Sequence, residues 1–309
     1  MHIVGMLVLG GAMSILTVWH VTTYHYKQPV AFGEHRMMLR PRDDDDQKVL
    51  ESELRITPEP SQLVWTKDVF GNHVAIACFE DRASELRFDS TMHLDQAPAD
   101  FRAAEIDDFA RTYPFAYAAE DRSDLARFIA PPSSHRELAG WGAKFLRQDG
   151  SADTRELLVD LTRTISRDFK HLARHEKGTQ DPIETLRLGS GSCRDLAVLM
   201  IEALRSLGIA ARFASGYLNL DDDDDGRVMG GHTHAWVQAY VPGPGWVDFD
   251  PSNGMVGNRN LVRVAVVREP REAIPVQGTW IGAASDHLTM NVAVKVIAAA
   301  DAGFRPGQG

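Results

Sequence analysis

Cysteine is scarce in this sequence, since 309 residues include only two, Cys78 and Cys193. So few cysteines exclude a disulfide framework and a multi-cysteine zinc site, and they are typical of a protein from a reducing compartment. Basic residues are also outnumbered, because 33 lysines and arginines face 43 aspartates and glutamates, for a formal net charge of −10. That charge argues against a nucleic-acid partner and against binding to an anionic membrane. We therefore predict a cytoplasmic protein that binds neither.

Long apolar runs are few as well. The first residues, MHIVGMLVLGGAMSIL, are too short a stretch to span a bilayer, and they lack both lysine or arginine and a clear signal-peptide cleavage site. We predict no stable membrane insertion. Residues 1–13 are interpreted in one of two ways: as a gene start assigned too early, in which case Met13 is the first residue, or as a disordered tail. Residues 299–309 are predicted to form a second disordered tail. The 44% of apolar and 25% of charged residues indicate a globular chain long enough for two domains.

The first domain is predicted to be all-β and to cover residues 14–98. The segments ILTVWHVTTYHY and ELRFDSTMHL have the β-branched, aromatic or alternating residues of strands, and LVWTKDVFGNHVAIACFE is a hairpin candidate that turns at FGN. We expect these strands to form a sandwich. The four aspartates at 43–46 are interpreted as a solvated loop.

The second domain is predicted to be α+β and to cover residues 99–298. An apolar stripe with a spacing near 3.6 residues predicts a helix that starts at about Asp153, and a second stripe predicts a helix that ends at Gly208. Ser133 or Ser134 is a candidate cap for another helix. Beyond Gly208 the pattern is that of strands, through to about Val296.

Cys193 lies between the glycine- and serine-rich GSGS and the second apolar helix, so we place it at a helix N-terminus. Free N–H groups and the helix dipole favour a thiolate there and lower the pKa of a thiol. The N–H of Cys193 is suited to an oxyanion hole, and we predict that Gly191 and Ser192 contact a substrate. Taken alone, Cys193 fits a small core residue equally well. Cys78, on an apolar strand face, is interpreted as such a residue.

The segment HTHAWVQAYV predicts a strand that carries a catalytic base. Its alternation places small aliphatic residues on the core side, with His234 and Trp236 on the other side, facing a site. We predict that Trp236 lines this site and excludes water. His232 is a second candidate base.

The return strand WVDFDP supplies a carboxylate for that base. Cross-strand partners share a face, so Asp250 lies on the face of His234 only if the loop after Val241 has an odd number of residues or the strand contains a bulge. We predict such a loop or bulge. Asp248 has the same parity and stays an alternative to Asp250.

These segments resemble the transglutaminase-like superfamily of papain-like cysteine enzymes. The matching stretches are GSGSCRDLAVLMIEALRSLGIAARFASGYL and HTHAWVQAYVPGPGWVDFDPSNG, in the order Cys, His, Asp, and YHYKQPVAFGEHRMMLRPR resembles the β-rich N-terminal domain of bacterial members. The resemblance implies a core in which the helix of the nucleophile packs on an antiparallel sheet. It also implies that Cys193 is the nucleophile, His234 the general base and acid, and Asp250 the group that orients the imidazole.

The reaction that the resemblance implies is acyl transfer from a peptide or protein amide through a thioester, without a cofactor. An amine resolves the thioester by transamidation, and water resolves it by hydrolysis. A second oxyanion donor, from an upstream helix, is implied without an assigned residue.

Two other functions are compatible with the residues. The first is a non-catalytic, peptide-binding scaffold of the same fold. The second is a metal site of Cys193, His232, His234 and Asp250, although zinc sites usually have paired ligands at short spacing, and here only the two histidines are close. The acidic run Asp221–Asp225 is more typical of a solvated loop than of a cation site. We therefore predict no metal.

Overall fold

A computed structural model describes residues 14–129, 136–174, 176–219 and 232–299. Within these ranges the strands are β1 (Ser14–Met37), β2 (Gln47–Thr57), β3 (Gln62–Lys67), β4 (His73–Cys78), β5 (Arg82–Gln96), β6 (Thr112–Tyr113), β7 (Ala152–Asp153), β8 (Lys170–His171), β9 (Ser190–Gly191), β10 (Ala211–Leu218), β11 (His232–Val241), β12 (Gly245–Asp250), β13 (Met255–Val256), β14 (Leu261–Val267), β15 (Val276–Ile281) and β16 (His287–Ala299). The α-helices are α1 (Ala119–Ile129), α2 (Arg136–Gly142), α3 (Thr154–Asp168), α4 (Pro182–Leu188) and α5 (Cys193–Ser206). Short 3-10 helices cover Asp108–Ala110, Ala143–Phe145, Pro270–Glu272 and Ala284–Asp286.

The N-terminal strands form one large sheet around β1. Its order is β2-β5-β1-β4-β3, and β15 and β16 also pair with β1. Strand β5 shows the period of two, since every second side chain from Leu86 to Gln96 is buried. The predicted hairpin is present as β3 and β4, with Lys67 opposite His73. The strand-rich domain is thus confirmed, but its strands form a single sheet instead of the expected sandwich.

Strands β15 and β16 do not join the predicted second domain of residues 99–298. They return to the N-terminal sheet, where Val276 of β15 lies opposite Met37 and Ala299 of β16 lies opposite Ile15. The physical reason is burial, because Val296 of β16 packs in the main apolar core. The predicted tails, apart from Ala299, and the candidate cap residues 133–134 lie outside the described residues.

The second sheet is antiparallel, in the order β13-β12-β11-β10-β14. The apolar side chains of α5 and α3 pack with Ala235, Val237 and Ala239 of β11 in one cluster, so the small aliphatic face of β11 is the core side, as predicted. An α+β core with the cysteine helix on an antiparallel sheet is thereby confirmed. Within the described ranges, none of the helices has the length and apolar character needed to cross a bilayer.

The start of α3 and the end of α5 lie where their capping residues indicate. Asp153 is the N-cap of α3, and its carboxylate accepts a hydrogen bond from the N–H of Glu156 at 3.0 Å. Helix α5 ends just before Gly208, whose φ of 75° is in the left-handed region that glycine adopts without strain. These local signals mark the two helices that contribute more buried residues to the main apolar cluster than the other described helices do.

Asp44 and Asp46 of the acidic run lie at the junction of the two sheets, whereas Asp43 and Asp45 are exposed, as expected for a solvated loop. Asp46 accepts hydrogen bonds from Nη2 of Arg263, with both oxygens at 2.7 Å, and Asp44 lies 3.7 Å from Nη1 of the same guanidinium. Arg263, on β14, is only 5% exposed. A buried cation requires such partners, so the acidic run joins the N-terminal sheet to the second sheet.

Candidate active site

Cys193 is the first residue of α5, as predicted. Ser192 is the N-cap and forms a capping box with Asp195: the Ser192 Oγ accepts from the Asp195 N–H at 3.4 Å, and the Asp195 carboxylate accepts from the Ser192 N–H at 2.8 Å. The N–H of Cys193 has no hydrogen-bond partner in the described parts of the chain. It is therefore free to bind a substrate oxygen at the positive end of the helix dipole.

Gly191 and Ser192, the expected substrate contacts, shape the start of this helix. The Ser192 hydroxyl donates to the Asp195 carboxylate at 2.7 Å, so it is already engaged. Gly191 is buried, and an added Cβ would lie only 2.8 Å from the Cβ of Asp195. The close approach explains the glycine, and it leaves only the backbone of this pair for a substrate.

His234 and Asp250 meet as the strand register requires. Val241 lies opposite Gly245, so the loop between β11 and β12 has three residues, and the predicted odd-length loop is confirmed. The Nε2 of His234 lies 2.8 Å from Oδ2 of Asp250. Since Nε2 is bound to the carboxylate, Nδ1 is the ring nitrogen left for the hydrogen bond with Cys193.

Asp250 is fully buried and is held by the turn that follows it. Its Oδ1 accepts hydrogen bonds from the N–H groups of Ser252 at 2.9 Å and Asn253 at 3.3 Å, and its Oδ2 accepts one from Nδ2 of Asn253 at 2.7 Å. These donors satisfy the carboxylate without neutralising it, so its charge is directed at the imidazole of His234.

The thiol of Cys193 is surrounded by hydrogen-bond donors. Burial opposes its charge, but hydrogen bonds with His171 and His234, the charge of His234 and the N–H of Ala235 outweigh burial, and the pKa of Cys193 falls from 9.0 to about 6. Burial likewise opposes the charge of His234, but its hydrogen bonds with Asp250 and Cys193 raise the pKa of His234 from 6.5 to about 10. At neutral pH the site therefore holds a thiolate beside an imidazolium.

His171 is a site residue that the sequence reasoning missed. It lies on β8, which pairs in parallel with β9, so that His171 is opposite Gly191. Its hydrogen bond with the thiol of Cys193 raises the pKa of His171. A lone histidine after a helix has no pattern that marks it, and only the short parallel pairing brings it to Cys193.

Trp236 and Asp248 lie beside His234 and support its position. Trp236 is fully buried, stacks on His234 with ring centroids 6.1 Å apart, and donates its Nε1–H to Asp248 at 2.6 Å. Because no surface of Trp236 is open to a substrate, its expected role in substrate binding is revised to the support of His234. Asp248 also lies 3.8 Å from Arg263. Of the two candidate carboxylates, Asp250 is thus the one bound to His234.

The remaining candidate ligands are apart from this cluster. His232 is exposed at the start of β11. In the described ranges, no group of three or more His, Cys, Asp and Glu side chains is arranged to hold a metal ion. The Asp221–Asp225 run lies outside those ranges.

Two family profiles match this chain. The profile of the bacterial transglutaminase-like N-terminal region matches residues 16–95. The profile of the transglutaminase-like superfamily matches residues 145–251, which contain Cys193, His234 and Asp250. The chain belongs to the transglutaminase-like superfamily.

This transglutaminase-like protein is 24% identical over 287 residues to an uncharacterised protein of Mycobacterium leprae, across 92% of this chain and 99% of the relative. It is 26% identical over 291 residues to an uncharacterised protein of Mycobacterium tuberculosis strain H37Rv, across 91% of each chain. The crystal structure of a putative cysteine protease from Cytophaga hutchinsonii has the same fold, with a TM-score of 0.69 at 19% identity over 97% of this chain and 96% of that chain. The family supports cysteine-type catalysis in general.

Proposed function

We propose that this transglutaminase-like protein transfers acyl groups from peptide or protein amides, with Cys193 as nucleophile, His234 as general acid and base, and Asp250 as the group that orients His234. One observation carries the proposal: the thiol at the start of α5 is hydrogen-bonded to an imidazole whose opposite nitrogen lies 2.8 Å from a buried carboxylate. This arrangement supports the roles of nucleophile, base and orienting group that a catalytic triad requires.

In the acylation step, the Cys193 thiolate attacks the amide carbonyl, an S–C bond forms and the π pair of the carbonyl moves to oxygen. The N–H of Cys193, at the N-terminus of α5, is a donor for that oxyanion. The oxyanion then collapses, the C–N bond breaks, and His234 gives its proton to the leaving amine. The products are a thioester on Cys193 and a neutral His234.

In the second step, neutral His234 takes a proton from the acyl acceptor as the acceptor attacks the thioester. The S–C bond breaks, and the thiolate–imidazolium pair forms again. An amine acceptor gives transamidation and water gives hydrolysis, and access of water to the site decides between them. Both outcomes use the same residues, so both belong to one proposal. The cytoplasmic location predicted from the unpaired cysteines stays a prediction.

The test compares wild-type protein with Cys193→Ala and with Cys78→Ala as the matched control. Incorporation of a fluorescent primary amine and hydrolysis of amides are scored on the same panel of peptide and protein substrates. We expect activity from wild type and from Cys78→Ala, and none from Cys193→Ala. Equal activity in all three proteins would refute the proposal. A wild-type protein that binds peptides and never forms a thioester would indicate the non-catalytic scaffold.

A further inference from the structure

The thiol of Cys193 is hydrogen-bonded to two imidazoles, of which the triad uses only one. The second, His171, is fixed beside the nucleophile by its backbone. The N–H of Lys170 donates to the carbonyl of Gly189 at 2.9 Å, and the N–H of Leu172 donates to the carbonyl of Gly191 at 2.9 Å. These bonds flank His171 on both sides, so its position relative to Cys193 is set by β8 and β9.

The loop that follows β8 is bound to the same helix start. Asp195 accepts hydrogen bonds from Nη1 of Arg174 at 2.9 Å and from the N–H of Gln180 at 2.7 Å. Asp195 also caps α5, so one buried carboxylate joins the loop after His171 to the helix of the nucleophile. His171 is thus placed by the framework of the site and is not a side chain that approaches the thiol by chance.

The two histidines have different surroundings. His234 is 8% exposed and bound to Asp250, whereas His171 is exposed, and no carboxylate in the described ranges is hydrogen-bonded to its ring. A base that shuttles protons needs the orienting carboxylate that His234 has. The ring of His171 is instead exposed, so a substrate can reach it beside the sulfur.

We propose that His171 is a further catalytic residue, which donates an N–H hydrogen bond to the thiolate in the resting protein and to the carbonyl oxygen in the tetrahedral intermediate. This inference rests on the acyl transfer proposed above. As the S–C bond forms, the negative charge moves from sulfur to the carbonyl oxygen. The N–H of His171, which first donates a hydrogen bond to the thiolate, then donates one to the oxyanion. His171 transfers no proton, and its hydrogen bond returns to sulfur when the thiolate is released.

Together with the N–H of Cys193, this gives the oxyanion a side-chain donor and a backbone donor. The hydrogen bond with the thiol of Cys193 raises the pKa of His171.

The experiment separates attack on a carbonyl from attack on an alkyl halide. Iodoacetamide measures the thiolate alone, because its reaction places no charge on oxygen. Acylation by p-nitrophenyl acetate passes through an oxyanion, and its leaving group needs no proton from His234. Both rates are measured for wild type, His171→Ala, His171→Gln and the matched control Lys170→Ala, at a pH where alkylation no longer increases.

We expect His171→Ala to reduce the acylation rate about 10²- to 10³-fold, which is typical for loss of one oxyanion donor. Its limiting alkylation rate should stay within about twofold of wild type, since the thiolate is fully formed at that pH. His171→Gln keeps a neutral N–H donor and should acylate at an intermediate rate. Lys170→Ala should match wild type in both reactions.

Three outcomes would overturn the assignment. Equal losses of alkylation and acylation in His171→Ala would reduce His171 to a group that only positions the thiolate. Normal acylation with slow release of the acetyl group would make it a base for the acyl acceptor. If wild-type protein is alkylated rapidly but never acylated, the proposed acyl transfer itself fails, and the role of His171 fails with it.

Discussion

The charge of Asp250 can be tested by the change Asp250→Asn, which keeps the shape of the side chain. In the wild type, the imidazolium of His234 lies 2.8 Å from this carboxylate, and two unit charges at that distance interact by at most about 6 kcal/mol at an effective dielectric constant of about 20. The asparagine amide still forms a hydrogen bond, so we expect a net loss of about 1.5–3 kcal/mol, which lowers the proton affinity of His234 by about 1–2 pH units.

The sign of the pH effect follows from which group loses its proton. The pKa of His234 is about 10 in the wild type, so its proton is present below that pH and is lost above it. The substitution should move this alkaline limb of acyl transfer to about pH 8–9. The acid limb, set by the pKa of Cys193 at about 6, should stay close to its wild-type position. The pH range of activity therefore becomes narrower from the alkaline side.

The maximal rate should fall as well, by about 10²- to 10⁴-fold, because an amide can turn its NH2 group toward His234 and stabilise the wrong tautomer. The assay combines a pH profile of acyl transfer with iodoacetamide labelling of Cys193, in which Cys78 is the internal standard. Labelling should persist while turnover is lost. Asp168→Asn, an exposed aspartate on α3, is the control. An alkaline limb that stays near pH 10, with a rate within about twofold of wild type, would refute the orienting role.

The other predictions concern stability, read from urea unfolding. Trp236→Phe removes the hydrogen bond to buried Asp248 and should cost about 1–3 kcal/mol. Asp46→Asn weakens a pair with buried Arg263 and should cost up to about 3–5 kcal/mol, the range for a broken buried pair. Burial lowers the pKa of His20 from 6.5 to about 4. As the pH falls, the unfolded chain therefore binds a proton at His20 before the folded chain does. Wild type should lose about 3 kcal/mol of its unfolding free energy as the pH falls from 6.5 to 4. His20→Gln should lack this loss.

Each of these has a clear contrary result. The first two fail if the unfolding free energy of the variant equals that of wild type. The matched control for Asp46→Asn is Asp45→Asn, an exposed neighbour on the same turn, which should change the unfolding free energy by less than about 0.5 kcal/mol. The third fails if wild type and His20→Gln lose stability in parallel between pH 6.5 and 4.

Much of the candidate site follows from local sequence patterns. A helical stripe after GSGS locates Cys193 at the first turn of α5, and the period of two along β11 separates His234 from the core side. The parity of the hairpin predicts an odd-length loop or a bulge, and the loop has three residues. These features depend on residues close in sequence, where helix and strand periods are reliable guides.

Those patterns do not predict features that depend on pairing between segments far apart in the sequence. His171 reaches Cys193 through a parallel pair of two-residue strands, which has no periodicity to detect. Asp44 and Asp46 look solvated from composition, but their partner Arg263 is more than 200 residues away along the chain. Strands β15 and β16 pair with β1 from the opposite end of the chain. The composition of a segment gives its average polarity, whereas the burial of its residues depends on the distant segments that pack against it.

Cys193 and His234, two members of the proposed triad, are held in place by different interactions. Cys193 is positioned by apolar packing of α5 on the inner face of β11, and His234 by a polar series on the outer face, in which Trp236 donates to Asp248 and Asp248 lies beside Arg263. Arg263 is in turn bound by Asp46 of the N-terminal sheet. Apolar packing tolerates small shifts, but a buried charge series does not, because each unpaired member is costly. The N-terminal sheet thus contributes to the orientation of His234, although it supplies no residue to the triad.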